Sequence, residues 1–190
     1  MVLKLLSSCL FICLIYVPLA VARIRYHKWE VKYELKSPDC YKKLVITING
    51  GSPGPPSLPN KAGTNVYHAH YGMQIGARLY GSIRVSLPDG VSEPFAYGYD
   101  RSIILTDWYH KSISEQAVGL SSIPFVWVGE PQSLLIQGKG KFDCTSVSSP
   151  AGVCNASNPE CSPYSITVIP GKTYRLRVAS LTGCHPLVFK

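Results

Sequence analysis

The fold class follows from one segment near the amino terminus, Lys28-Trp29-Glu30-Val31-Lys32-Tyr33-Glu34-Leu35. Apolar and charged side chains alternate through it without a fault, which is the pattern of a half-buried β-strand. Similar alternation or short apolar runs recur, between Gly- and Pro-rich turns, at residues 44–48, 83–87, 103–105, 125–128, 134–136, 166–168 and 174–178. Only residues 112–120 could hold a short helix. Short strands at this spacing predict an all-β chain built of antiparallel sandwiches.

Composition narrows the class of protein further. The chain has 190 residues, of which 46% are hydrophobic and 16% charged, so it is too apolar for a disordered protein. The formal net charge is +8, but the basic residues are dispersed. Arg175 and Arg177 alternate with apolar residues, and we expect both on the solvent-exposed face of a strand. The positive net charge is compatible with an acidic polysaccharide as a binding partner.

The first 22 residues have the pattern of a secretory signal peptide. Lys4 precedes an apolar run over 5–17, and Ala20-Val21-Ala22 matches a small-x-small cleavage site. The run is too short to cross ~30 Å of hydrocarbon, and no later stretch is longer, so we expect no membrane span. Secretion makes nucleic acid a poor partner.

Cysteine usage agrees with secretion. Two of the seven cysteines leave with the signal peptide, and the remaining five favour disulfides in an oxidising compartment, with one thiol left over. Asn155-Ala156-Ser157 is a sequon in a polar loop, so we expect glycosylation at Asn155.

Two histidines could carry chemistry, His68 and His70. Residues two apart in a strand point to the same side, and neutral imidazole suits copper, zinc, iron and nickel. Two surface histidines without a metal are the plain alternative. The aromatic neighbours Tyr67 and Tyr71, with Gly72, favour a packed functional site.

These residues bring the sequence to a resemblance. Residues 67–74 and 79–83 resemble the Y-H-x-H-x-G-M-Q…G-L-Y-G-S segment of the plant multicopper oxidases, and 29–33 and 48–55 resemble the start of that family's first domain. Within the family, the segments that resemble the L-ascorbate oxidases lie at residues 105–110, 118–122, 127–132 and 138–144.

The resemblance implies cupredoxin-like Greek-key β-sandwich domains and copper. In the family, a type-1 copper accepts electrons from ascorbate, and a trinuclear copper cluster held by eight histidines reduces oxygen to water. His68 and His70 match two ligands of the type-3 copper pair. Trp127 matches a tryptophan that lines the ascorbate pocket.

The resemblance also implies a disulfide framework and a location. It pairs Cys40 with Cys161 and Cys144 with Cys154, which leaves Cys184 free. The family places the protein outside the cell, in the plant apoplast or cell wall.

The sequence departs from the family in ways that bear on activity. The family's H-W-H-G motif is absent, because Val66 joins Tyr67 directly where that motif belongs. The 65 residues from 23 to 87 also fall short of the roughly 100 of a seven-stranded sandwich. We therefore divide the chain into a signal peptide (1–22), an incomplete first domain (23–90) and a second domain cut at its carboxyl end (91–190). The family's third domain and type-1 site are expected to be missing, and Cys184-His185 is read as a chance pair.

Two functions follow as expectations. The first is a secreted, copper-binding L-ascorbate oxidase-like protein that is inactive alone. The second is a non-catalytic cell-wall β-sandwich protein with weak or no copper binding. His27 and His110 are expected at the surface or a strand edge rather than as ligands, and the sequence does not predict an oligomeric state.

Overall fold

The computed structural model describes residues 26–57, 63–85, 87 and 90–183. The signal peptide, Cys184 and His185 lie outside these residues. Over the described ranges the chain forms eight strands and one α-helix, so the all-β fold class is confirmed. No helix in this part of the chain is long and apolar enough to span a membrane.

The elements follow one another in a simple order. The helix α1 spans Ile113–Leu120, and a 3-10 turn spans Cys144–Ser146. The strands are β1 (Val31–Lys36), β2 (Lys43–Ile48), β3 (Gly54–Ser57), β4 (Gly63–His68), β5 (Tyr80–Val85), β6 (Tyr99–Trp108), β7 (Ser133–Ile136) and β8 (Tyr174–Ser180).

Three small sheets arise from these strands. β1 pairs with β2, β5 lies between β3 and β4, and β6 lies between β7 and β8. The expectation of purely antiparallel pairing is wrong for two pairs, because β3–β5 and β6–β8 are parallel. Parallel strands need a long crossover, and residues 109–173, with α1 among them, provide it between β6 and β8.

The core joins the first and third sheets. Val45 of β2, Trp108 of β6 and Leu135 of β7 form a cluster of buried residues, each 0–1% exposed. These residues come from both sides of residue 90, and the domain division there stays a prediction. β1 lies at the edge of this arrangement, and its apolar side chains Val31 and Tyr33 are more than half exposed.

The expected solvent-exposed arginine face of β8 is wrong. Arg177 is 7% exposed, whereas the apolar Leu176 and Val178 beside it are 50% and 43% exposed. The cause is Asp100 on β6, which accepts hydrogen bonds from Nε of Arg177 at 3.0 Å and from Arg175. A buried carboxylate offers a guanidinium charge-assisted hydrogen bonds, and these outweigh the preference of arginine for water.

Local sequence explains α1 but not two expected strands. The Ser112 side chain caps the helix by accepting a hydrogen bond from the Glu115 amide, and the Glu115 carboxylate accepts one from the Ser112 amide, so the predicted helix is confirmed. The apolar runs at 125–128 and 166–168 form no strand. Phe125 is 61% and Val168 57% exposed, so neither run has the partner face that a half-buried strand requires.

Two disulfides cross-link the loops. Cys40 pairs with Cys161 and Cys144 with Cys154, with Cα atoms 4.6 and 5.6 Å apart. These are the pairs that the resemblance implies.

Candidate metal centre

Tyr67 fixes the strand that leads into the histidine pair. Its ring stacks on Trp29 with centroids 4.7 Å apart, and its hydroxyl donates to the carbonyl oxygen of Pro55 at 2.8 Å. Burial raises the pKa of Tyr67 to about 12. Gly81 on β5 lies against this ring, and a Cβ there would collide with it. The glycine of the Tyr80-Gly81-Ser82 segment therefore makes room for the aromatic anchor of β4.

The structure brings His68 and His70 together. Their rings stack with centroids 4.4 Å apart and planes inclined by 29°. β4 ends at His68, which pairs with Tyr80, and the amide of Ala69 donates to the carbonyl oxygen of Leu79. His68 is half-buried, and His70 is exposed.

The orientation of His68 suits a metal ligand. Its Nδ1 lies 3.1 Å from the carbonyl oxygen of Ala69. When Nδ1 carries the proton and donates it to that oxygen, Nε2 keeps its lone pair free for a metal.

The donor set does not fit a trinuclear copper cluster. In the described ranges, no group of three or more His, Cys, Asp or Glu residues could hold a metal ion. Two imidazoles remain, enough for one open copper but not for a cluster of three. His27 is exposed in the segment before β1.

His110 has a structural role that the sequence did not reveal. His110 was expected at the surface or at a strand edge: it lies two residues beyond the end of β6, but its side chain is only 9% exposed, so it is not a surface residue. Its Nε2 lies 2.8 Å from Oδ2 of Asp39, and Ser133 donates to the same oxygen at 2.6 Å. The ring also stacks on Tyr41 at 3.9 Å. Asp39 and His110 are 71 residues apart in the sequence, so no local sequence pattern predicts that they pair.

The remaining predicted positions lie apart from the histidines. Trp127 is 56% exposed in a segment without regular structure, with Phe125 6.5 Å away between ring centroids. It is no core aromatic, and its match to a substrate-lining residue stays a prediction. Asn155 is exposed, and its Oδ1 accepts a hydrogen bond from the Ser157 amide. Glycosylation there also stays a prediction.

Comparison with known proteins identifies the class. The family model for multicopper oxidases matches residues 100–190. L-ascorbate oxidase of Cucumis sativus is 36% identical over 88% of this chain and 39% of its own length, and that of Nicotiana tabacum is 34% identical over 87% and 39%. The chain belongs to the multicopper oxidase family. The particular members that it resembles over most of its length are L-ascorbate oxidases, of which it spans about two fifths.

Solved structures agree on the fold. A laccase from Botrytis aclada matches with a TM-score of 0.60 and 20% identity, covering 81% of this chain and 37% of the laccase. Fet3p, a multicopper oxidase that functions in iron import, matches with a TM-score of 0.61 and 18% identity, covering 82% and 36%. These likenesses confirm the cupredoxin-like fold.

The alignment to the Cucumis sativus enzyme also contains positions that this chain does not fill. It is 228 residues long, whereas 88% of the 190-residue chain is about 167 residues. About 60 aligned positions therefore have no counterpart in this chain.

Proposed function

We propose that this chain is a secreted, L-ascorbate oxidase-like protein that binds copper through His68 and His70 and does not by itself oxidise ascorbate. The observation that carries the proposal is the pair of stacked imidazoles, with centroids 4.4 Å apart, at the end of β4. The relatives named L-ascorbate oxidase supply the reaction class, in which ascorbate and oxygen are the substrates.

Copper would supply a one-electron redox centre at this pair. His68 would offer Nε2, because the carbonyl oxygen of Ala69 faces Nδ1. His70 is exposed and adds a second imidazole from the turn that follows the strand. With two protein ligands the copper stays open to water, so binding is weak and exchangeable.

The inactivity of these 190 residues rests on the number of donors. The family's cluster needs eight histidines, and the sequence has five in all. His110 is committed to Asp39, and His27 lies in the exposed segment before β1. One copper held by two imidazoles would exchange a single electron, whereas the reduction of oxygen to water requires several.

Equilibrium dialysis against Cu²⁺ tests the copper proposal. We expect weak uptake by the wild type, loss of that uptake in His68→Ala, and unchanged uptake in His27→Ala, the matched control at an exposed histidine. Tight one-to-one binding that survives His68→Ala would contradict the proposal. No uptake by the wild type would favour the alternative, a non-catalytic cell-wall protein.

Secretion to the plant apoplast or cell wall is part of the proposal. The signal-peptide pattern, two disulfides and an exposed sequon at Asn155 support it. Expression in plant cells tests it. We expect the chain in the extracellular fluid, with a glycan that Asn155→Gln removes. Retention of the wild type inside the cell without a glycan would contradict this part.

A further inference from the structure

A cavity of about 240 Å³ lies between strand β2, strand β6 and helix α1, and neither His68 nor His70 lines it. Lys43, Arg78 and Tyr80 line it together with residues 106–109. Met73, Ile75 and Ile113 supply an apolar side. Sites for drug-sized ligands usually measure about 300–1,000 Å³, so this one suits a smaller, metabolite-sized molecule.

Arg78 is the unusual residue among those that line the cavity. It is 4% exposed, and its Nε donates to Oγ of Ser52 at 2.8 Å. Its guanidinium carbon lies 4.9 Å from the ring centroid of Trp108 and 5.5 Å from that of Tyr80. Neither Nη1 nor Nη2 has a hydrogen-bond partner among the residues that the structure describes. Within the described chain no carboxylate forms an ion pair with it, and a buried cation without a counter-charge is strongly unfavourable.

The same cavity gathers further unpartnered groups. Buried polar atoms for which the described part of the chain supplies no partner also occur on Tyr80, Thr106, Asp107 and Trp108, and all four residues line the cavity. A neighbouring cavity of about 350 Å³ shares only Arg78 and Trp108 of this set. The unpartnered atoms of Tyr80, Thr106 and Asp107 therefore belong to the smaller cavity alone, whereas Arg78 and Trp108 line both cavities.

A second cation reinforces the positive charge. Nζ of Lys43 lies 5.0 Å from the centroid of Trp108 and donates to the carbonyl oxygen of Tyr109 at 2.7 Å. Burial, and then the charge of Arg78, lower the pKa of Lys43 to about 8. Asp39 opposes this shift, but its carboxylate already binds His110 and Ser133.

We propose that this cavity binds a small hydroxylated carboxylate, such as a sugar acid, with its carboxylate between Arg78 and Lys43. Its hydroxyl groups would pair with Thr106, Tyr80 and Oδ1 of Asp107, while its carbon frame covers the apolar side. The unpartnered atoms have almost no accessible surface, so the proposal requires these side chains to rotate toward the ligand as it binds. A neutral sugar would leave the charges of Arg78 and Lys43 without a counter-charge. A carboxylate without hydroxyl groups would leave Thr106, Tyr80 and Asp107 without hydrogen-bond partners. This site is independent of copper and of ascorbate oxidation.

Isothermal titration with D-glucuronate on the full chain at neutral pH tests the site. We expect one-to-one binding to the wild type, at least about tenfold weaker binding of acetate, and no binding of D-glucose. Arg78→Met and Lys43→Met should each weaken glucuronate binding at least about tenfold, because each removes a charge that the carboxylate meets. Lys32→Met, at an exposed lysine, is the matched control and should bind like the wild type.

Three results would overturn the proposal. The first is no glucuronate binding by the wild type, which would leave the cavity to water. The second is binding of acetate or glucose as tight as that of glucuronate. The third is wild-type affinity in Arg78→Met and Lys43→Met. If thermal melting shows that Arg78→Met does not fold, Lys43→Met decides the third point alone.

Discussion

Replacing Asp100 with asparagine tests the buried ion network that turns the arginines of β8 inward. The Asp100 side chain is 3% exposed and binds Arg175 and Arg177, with Nε of Arg84 at 3.5 Å. Arg177 also donates to the carbonyl oxygen of Gly63 at 2.9 Å, so the network ties β8 to β4. Asparagine keeps the shape of the side chain but removes the charge.

The expected loss follows from what each arginine keeps. Removing one partner of a buried ion pair costs about 3–5 kcal/mol. Arg175 retains Glu93 at 2.7 Å, so we expect the lower end, about 3 kcal/mol. With a urea dependence of about 2 kcal/mol per M, the unfolding midpoint should fall by about 1.5 M.

The pH dependence supplies a second readout. Burial alone would raise the pKa of Asp100, but hydrogen bonds from Arg175 and Arg177 outweigh it and hold the pKa below its ordinary value of 3.8. The carboxylate therefore stabilises the fold above that value, and this stabilisation is lost as the pH falls through the lower folded-state pKa. The difference between wild type and variant should be largest at neutral pH and shrink in acid.

Urea unfolding followed by tryptophan fluorescence measures both effects. Glu30→Gln is the control, because it breaks the exposed pair with Lys32 and should leave the midpoint unchanged. An Asp100→Asn midpoint within error of the wild type would refute the reasoning, since the arginines would then be solvated as their sequence pattern suggests.

Two further changes test packing and charge. Gly81→Ala should lower the free energy of unfolding by about 2–3 kcal/mol, because the new methyl group collides with the Tyr67 ring. Gly98→Ala is the control and should cost little, because a Cβ there would lie at an ordinary contact distance. Equal losses for the two variants in urea unfolding would contradict this prediction. Lys43→Met should stabilise the chain by about 2 kcal/mol at pH 7, since burial of the charge outweighs the lost hydrogen bond to Tyr109. That gain should vanish as the pH rises from about 8 toward 10.5, and a gain independent of pH would contradict it.

The sequence pattern was enough to predict the elements that depend only on residues nearby in the chain. The alternation at 29–35 gives β1, and Ser112 with Glu115 gives the start of α1, because strand period and helix capping depend on neighbours in the sequence. The histidine pair could also be predicted, because His68 ends β4 and His70 follows two residues later, so the two need no distant partner to meet.

Contacts between residues far apart in the sequence determine the features that the local pattern could not predict. The alternation in β8 was detected, but the face it buries depends on Asp100, 75 and 77 residues away from Arg175 and Arg177. The apolar run at 125–128 resembles a strand, yet none of the described strands pairs with it. His110 and Arg78 owe their environments to Asp39 and Trp108, and no short motif links either pair.

Ascorbate-dependent oxygen uptake by the copper-loaded chain tests the central claim most directly. The chain is equilibrated by dialysis with a fixed free concentration of Cu²⁺, assayed in that same buffer, and compared with a His68→Ala/His70→Ala variant treated in the same way. We predict no blue copper absorption and no oxygen uptake above that of the double variant, because two imidazoles do not make the family's copper centres. Uptake that saturates with ascorbate, accompanies a blue absorption band and disappears in the double variant would contradict the account.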